Sequence, residues 1–207
     1  MVRQIDFTQK PPSARQLRQQ VIELLEQSAC GREEQLAEAL SRLLLLRFVY
    51  GPDYGLRGEE LRAFKKRVAD GVQSGNNPVN LENYLGEAAS WAAEGRYDGY
   101  APAVLARSSF QILLEDFGEW DLMNEQRRED LAYIDEDLRE AAEDAPPVET
   151  RFVPPNLPAT HWWWKAPKRT DMSERERRLR LRGRDLYMIE TYGSDRACRP
   201  LGEADRP

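Results

Sequence analysis

The only histidine of the chain, His161, is followed directly by three tryptophans, Trp162, Trp163 and Trp164. An imidazole acts as a general base when it lies within hydrogen-bonding reach of a nucleophile and is oriented by a third group. No Gly-x-Ser-x-Gly sequence marks such a nucleophile in this chain. We therefore expect His161 to be a structural, hydrogen-bonded side chain, and we assign no catalytic residue.

Carboxylates are dense between residues 130 and 144, where seven aspartates and glutamates could be read as metal ligands or as an acid/base pair. Helical di-metal centres draw Glu-x-x-His pairs from facing helices, and the one histidine lies elsewhere. The glycines between Gly51 and Gly58 have neither the spacing nor the Lys-Ser/Thr pair of a phosphate-binding loop. The sequence thus predicts no metal and no cofactor, and a carboxylate- or metal-dependent enzyme is the third interpretation of its function.

Charge is segregated along the chain. Residues 119–149 hold 12 acidic and 3 basic side chains, whereas residues 151–206 hold 13 basic and 8 acidic ones. The two blocks could attract each other, within one chain or between two copies, as solvated helix faces. The basic block could instead bind an acidic protein or nucleic-acid phosphates, although a sequence pI near 5.1 argues against a dedicated nucleic-acid binder.

The elements that must position these residues read as helices separated by glycine and proline. Ser13 and Gln16 form a capping-box pattern for a first helix that stops at Cys30-Gly31. A second helix, residues 33–50, is apolar nearly all round in its second half, which is typical of a central helix. The pattern predicts an all-α fold in which residues 1–144 form a helical bundle of about six helices. The remaining four are predicted from Leu61 to Val72, from Pro78 to near Gly95, from Pro102 to Phe117 and from Asp121 to Asp144.

Six prolines between Pro146 and Pro167 exclude a helix, so residues 145–171 are predicted to form an extended Pro/Trp-rich strap. Alternation along an extended chain would place Trp162 and Trp164 on one face, with His161 and Trp163 on the other. Residues 172–193 are predicted to form a basic amphipathic helix, because Ser173 and Glu176 make a second capping box and arginines crowd its first half. Residues 194–207 are predicted to be a flexible tail.

Compartment is indicated by what the sequence lacks. Apolar content of 41% and charged content of 32% fit a soluble globular protein. The longest apolar run, Leu43–Leu46, is far shorter than a membrane span, and the N-terminus has no apolar signal-peptide core. Cys30 and Cys198 are the only cysteines and lie far apart in sequence. We therefore expect a cytoplasmic protein without membrane partners or a disulfide framework.

Tryptophans are depleted in flexible linkers, so the strap is expected to be docked. It could pack inward on its own helices or present an indole to a partner, and the sequence favours inward packing, although one strap can do both. From this concentration of interface-type residues we expect a non-enzymatic adaptor, inhibitor or accessory subunit of a bacterial-type multiprotein assembly. The alternative is a nucleic-acid-binding accessory subunit that uses the same segment. The partner, pathway and oligomeric state stay open, and the expected partner-binding residues are Trp162, Trp163, Trp164, Lys165, Lys168, Arg169, Arg175, Arg178 and Arg182.

Overall fold

A computed structural model describes residues 5–93, 100–171 and 173 of the chain. This part contains six α-helices and no β-strand, which confirms the predicted all-helical bundle. None of its helices is long and apolar enough to cross a membrane. The helices are α1 (Ala14–Ala29), α2 (Glu34–Tyr50), α3 (Gly58–Val72), α4 (Asn77–Ala93), α5 (Ala101–Asp116) and α6 (Glu125–Asp144).

Helix α1 begins at the capping box that the sequence predicts. The Ser13 hydroxyl accepts from the Gln16 backbone N–H at 3.3 Å, and the Gln16 side chain accepts in return from the Ser13 backbone N–H at 3.0 Å. The helix stops where Gly31 takes a φ of +99°, a left-handed conformation that glycine adopts without a steric penalty. Both ends of α1 are therefore determined by residues next to them in sequence.

Helix α2 is the central element of the bundle. It packs against α1, α4 and α5, and Leu43, Leu44, Leu45 and Leu46 are each at most 7% exposed. Burying one leucine side chain contributes about 1.5–3 kcal/mol, so an all-round apolar helix is stable only when neighbours cover every side. The prediction of a central, buried second helix is confirmed.

The loop between α2 and α3 is fixed by Tyr54, which is fully buried with a φ of +54°. Its hydroxyl donates to Asp116 at 2.6 Å, and the Arg47 guanidinium binds the same carboxylate oxygen at 2.8 Å. Burial and the adjacent carboxylate raise the pKa of Tyr54, so the phenol keeps its proton and remains a donor. This clamp holds the C-terminal end of α5.

Helix α6 starts four residues later than the predicted Asp121. Asp121 has a left-handed φ of +47° and follows a 3-10 turn, Gly118–Trp120. The true N-cap is Asn124, whose side-chain oxygen accepts from the Arg127 backbone N–H at 3.0 Å. The predicted apolar stripe is buried as expected, and it consists of Leu131, Ile134, Leu138 and Ala141.

The strap, residues 145–171, contains no α-helix but does contain two 3-10 turns, Thr150–Phe152 and Trp162–Lys165. The second turn overturns the predicted alternation of the indoles, because a 3-10 turn places successive side chains about 120° apart rather than on opposite faces. The predicted basic helix and tail, residues 172–193 and 194–207, lie outside the described residues except for Ser173.

Candidate functional site

The strap docks onto Ser108, a fully buried residue of α5. Every residue from Ala103 to Phe110 is buried, so this stretch of α5 is enclosed on all sides. A serine in such a helix needs a hydrogen-bond partner, because an unsatisfied buried hydroxyl costs about 1–3 kcal/mol. Three side chains of the strap provide hydrogen-bond partners for this hydroxyl.

Three side chains of the 161–164 segment converge on the Ser108 hydroxyl oxygen. The indole N–H of Trp163 donates to it at 2.8 Å, and the indole N–H of Trp164 donates at 2.7 Å. The Nδ1 atom of His161 lies 3.1 Å from the same oxygen. One serine oxygen is therefore contacted by three side chains that lie 53 to 56 residues further along the chain.

Hydrogen-bond inventory fixes the protonation of this cluster. A serine hydroxyl has two lone pairs and one proton, and an indole N–H can only donate. The two indoles fill both lone pairs of Ser108, so its proton must be donated to His161 Nδ1. That nitrogen is then unprotonated, and the neutral ring carries its proton on Nε2.

His161 is held in this neutral form by its surroundings. The imidazole ring is 1% exposed and makes a T-shaped contact with the Phe48 ring, with ring centroids 5.3 Å apart. Burial lowers the pKa of His161 to about 4, with Arg107 and Arg47 adding to the shift and Glu115 opposing it. The Glu115 carboxylate is 3.8 Å from Nε2, which is too long for a hydrogen bond.

Arg107, the residue before the anchoring serine, supports the strap from the other side. It is 6% exposed, and it makes a two-pronged contact with Asp135 of α6 at 2.7 and 3.1 Å. Its guanidinium carbon lies 4.4 Å from the ring centroid of Trp163, which is a cation–π distance. One arginine thus ties α5, α6 and the strap together.

The outward side of the strap is basic. Lys165 and Lys168 are exposed, whereas Trp163 and Trp164 are buried. Trp162 is half-buried, and the guanidinium carbon of Arg139 lies 4.8 Å from its ring centroid. Arg169 is partly exposed and binds Asp144 at 3.2 Å and Asp171 at 3.0 Å. Trp163 and Trp164 therefore face the helical body, whereas Lys165 and Lys168 face solvent.

Glu115, His161 and Ser108 lie in the order in which a carboxylate, an imidazole and a hydroxyl stand in a nucleophilic site. The geometry differs from such a site in two respects. The hydroxyl is fully buried, and both of its lone pairs accept from indoles. In the described conformation the three groups anchor the strap. No cluster of three or more histidine, cysteine or carboxylate side chains suited to a metal ion is present among the described residues.

The structure brings together part of the predicted partner-binding set. The ring centroids of Trp162 and Trp163 are 5.7 Å apart, and Trp163 and Trp164 share the Ser108 hydroxyl. Lys165 and Lys168 are exposed and Arg169 pairs with Asp144 and Asp171, so these cations do not join the indole cluster. Arg175, Arg178 and Arg182 lie outside the described residues. The sequence reasoning missed Ser108 and its neighbour Arg107. Their signal was present as polar residues interrupting the apolar run of the fifth helix.

Comparison with known proteins adds no family to this geometry. The chain matches no protein-family model, and neither the curated proteins nor the solved structures give a match.

Proposed function

We propose that the protein is a non-enzymatic interaction subunit, an adaptor, inhibitor or accessory component of a bacterial-type multiprotein assembly. In this proposal the buried indoles hold the strap on the helical body. The exposed lysines of the strap and the arginine-rich residues 174–184 that follow it in sequence bind an acidic partner protein. The single observation that carries the proposal is the sidedness of the strap, with buried indoles and exposed Lys165 and Lys168.

The division of labour among the tryptophans follows from their burial. Trp163 and Trp164 are at most 4% exposed, so they position the strap rather than offer area to a partner. Trp162 keeps an accessible edge and is the indole proposed to contact the partner, because partly desolvated tryptophans are common hot spots. Lys165 and Lys168 follow Trp162 in the strap and are exposed, and Arg175, Arg178 and Arg182 come after them in sequence.

An arginine-rich docking element suits a partner surface of carboxylates. Guanidinium groups bind carboxylates in a two-pronged geometry that lysine cannot reproduce, and residues 174–184 hold six arginines and no lysine. Complementary charge of this kind accelerates encounter and selects between partners more than it adds affinity. We therefore expect an association that weakens moderately with salt.

The test is affinity purification from the native host with the full chain and with an R175E/R178E/R182E variant, followed by mass spectrometry. The proposal predicts one or more acidic proteins that are captured by the wild-type chain and lost from the variant. An R15E/R62E/R67E variant reverses three exposed arginines of the helical body and serves as the matched control. An identical set of captured proteins for all three chains would refute the proposed docking element.

A nucleic-acid-binding accessory subunit is the second candidate, supported by the partly exposed Trp162 and the exposed Lys165 and Lys168 that follow it in the strap, a combination suited to base stacking and phosphate contact. Titration of a single-stranded oligonucleotide at increasing salt separates the two. Phosphate-driven binding should weaken steeply, in proportion to the number of ions released. Capture of an acidic protein that survives nuclease treatment would support the protein partner instead.

A further inference from the structure

The imidazole ring of His161 lies between two oxygen atoms of α5. Its Nδ1 atom is 3.1 Å from the Ser108 hydroxyl, and its Nε2 atom is 3.8 Å from Oε2 of Glu115. We propose that this placement makes the strap an acid-sensitive latch, in which a proton on His161 moves the ring from Ser108 towards Glu115 and releases the turn Trp162–Lys165 from α5. The inference concerns how the strap is held, so it does not depend on the partner of the protein.

The neutral ring satisfies Ser108 but leaves one of its own atoms unsatisfied. Both lone pairs of Ser108 accept indole N–H groups, and the serine proton is donated to Nδ1. The proton of the ring is then on Nε2, a buried nitrogen that has no hydrogen-bond partner. Because an unsatisfied buried donor is costly, the docked ring gains if an acceptor reaches Nε2.

A second proton on the ring breaks the contact with Ser108. It must enter at Nδ1, and the new N–H group then faces an oxygen whose two lone pairs are already occupied by the indoles. Three donors compete for two acceptor positions, so one of the three side chains must leave. All three belong to the 3-10 turn and the residue that precedes it, so the departure of one disturbs the other two.

Glu115 is an acceptor placed for the charged ring. Its Oε1 atom accepts from Thr160 at 2.7 Å and from Gln111 at 2.9 Å, whereas its Oε2 atom is the oxygen 3.8 Å from Nε2. Partial burial raises the pKa of Glu115, but these two hydrogen bonds and the nearby positive charges lower it overall, which favours the ionised carboxylate. A movement of about 1 Å brings the ring within hydrogen-bonding distance.

The other charges around the ring oppose its protonation while the strap is docked. Burial is the largest cause of the lowered pKa of His161, and Arg107 of α5 and Arg47 of α2 add to it, although each arginine is itself paired, with Asp135 and Asp116 respectively. The pKa is about 4 in the docked strap against 6.5 for an exposed histidine.

This difference in pKa measures how strongly a proton favours release. The docked ring binds the proton about 300-fold more weakly than an exposed ring, and by linkage full protonation favours the released turn by the same factor. The effect is absent well above pH 6.5, grows as the pH falls below 6.5 and reaches its full size below pH 4.

The turn lies between two attachments that do not use the histidine. Before it, the Phe7 backbone N–H donates to the Arg151 carbonyl at 2.8 Å, and after it Arg169 pairs with Asp144 at 3.2 Å. The strap therefore stays tethered to the helical body when the turn leaves, which makes the movement reversible. It uncovers two indoles that are at most 4% exposed in the docked state.

The first test is an NMR titration of the untagged full chain labelled with nitrogen-15. Because His161 is the only histidine, its ring gives one set of signals, which should show the proton on Nε2 at pH 7 and a pKa of about 4. E115Q should lower that pKa by about one unit, whereas E26Q, which changes an exposed glutamate of α1, should leave it unchanged. A proton on Nδ1 at pH 7, or an equal pKa in E115Q and E26Q, would overturn the proposal.

Release itself is measured by acrylamide quenching of fluorescence in a W91F/W120F background, in which only the three indoles of the strap emit. Between pH 6.5 and 4 the accessible fraction should rise about threefold, from one partly exposed indole to all three, while the helical circular dichroism signal stays constant. H161N keeps an acceptor but cannot take up the proton, so its indoles should stay protected over this range.

E115Q keeps the histidine and should move the quenching midpoint to lower pH, which provides a second readout if H161N does not dock its strap. Three results would contradict the latch: an unchanged accessible fraction in the wild-type chain, a quenching midpoint that E115Q does not move, or loss of the helical signal together with the quenching change.

Discussion

Replacement of Ser108 by alanine is the sharpest test of the anchor. The change deletes one oxygen and leaves two indole N–H donors and the Nδ1 acceptor of His161 without a partner in a fully buried site. Each unsatisfied buried group costs about 1–3 kcal/mol, and partial relaxation of the strap makes the three contributions less than additive. We expect S108A to lower the free energy of unfolding by about 3–5 kcal/mol.

The neighbouring serine provides the control. Ser109 is also buried on α5, and its hydroxyl donates to the Leu105 carbonyl of the preceding turn, which already accepts within the helix. S109A should therefore cost about 1 kcal/mol or less. Both variants remove one buried serine hydroxyl from the same turn of α5, so their difference measures mainly the three contacts that the strap makes with Ser108.

The measurement is urea unfolding followed by tryptophan fluorescence and by circular dichroism. S108A should shift the fluorescence transition as the indoles lose their site, and the slope of free energy against urea should stay within error of wild type if unfolding is two-state. W164F in the S108A background should cost less than in the wild type, because its partner oxygen is already gone. A difference of under about 1 kcal/mol between S108A and S109A would refute the three-way convergence on this hydroxyl.

Three further predictions concern pH, an ion pair and backbone geometry. Folding lowers the pKa of His161 from 6.5 to about 4, so between these pH values the native state binds fewer protons than the unfolded state. The free energy of unfolding should therefore be highest above pH 6.5 and should fall by about 3 kcal/mol as the pH drops towards 4. Urea midpoints at several pH values should show this loss, and H161N should flatten the profile above pH 5. D135A should cost about 2 kcal/mol by thermal unfolding, because it leaves the buried Arg107 cation without its carboxylate. G75A should cost at least about 2 kcal/mol, because its φ is +53° and a Cβ would lie 2.4 Å from a carbonyl oxygen of α1, whereas G86A in α4 meets nothing and should stabilise by up to about 1 kcal/mol.

Much of the helical body could be predicted from local sequence signals. The capping box at Ser13, the all-round apolar character of α2 and the buried stripe of α6 depend on contacts within a few residues of chain, and all three are confirmed. The start of α6 was misplaced because Asp121 and Asn124 are both good N-caps, and only the left-handed backbone at Asp121 decides between them.

The anchor could not be predicted by the same means. Ser108 receives its partners from residues more than fifty positions away, and no spacing rule links them. The sequence indicated that the tryptophans are docked, but the direction of each indole depended on the 3-10 turn at Trp162–Lys165, which periodicity for an extended chain cannot foresee. Contacts of this kind are decided by tertiary packing, so the strap is evident from composition whereas its binding site on α5 is not.

The distance in sequence between the serine and the indoles has a consequence for synthesis. Ser108 is synthesised 53 residues before His161 and 56 residues before Trp164, so during that interval Ser108 lacks the side chains that cover it in the folded protein. Domains commonly fold as the chain emerges, at about 5–20 residues per second, which leaves that surface open for several seconds. We expect chaperones or other copies of the chain to bind this exposed groove on the nascent chain. Docking of the strap covers the groove and ends that exposure.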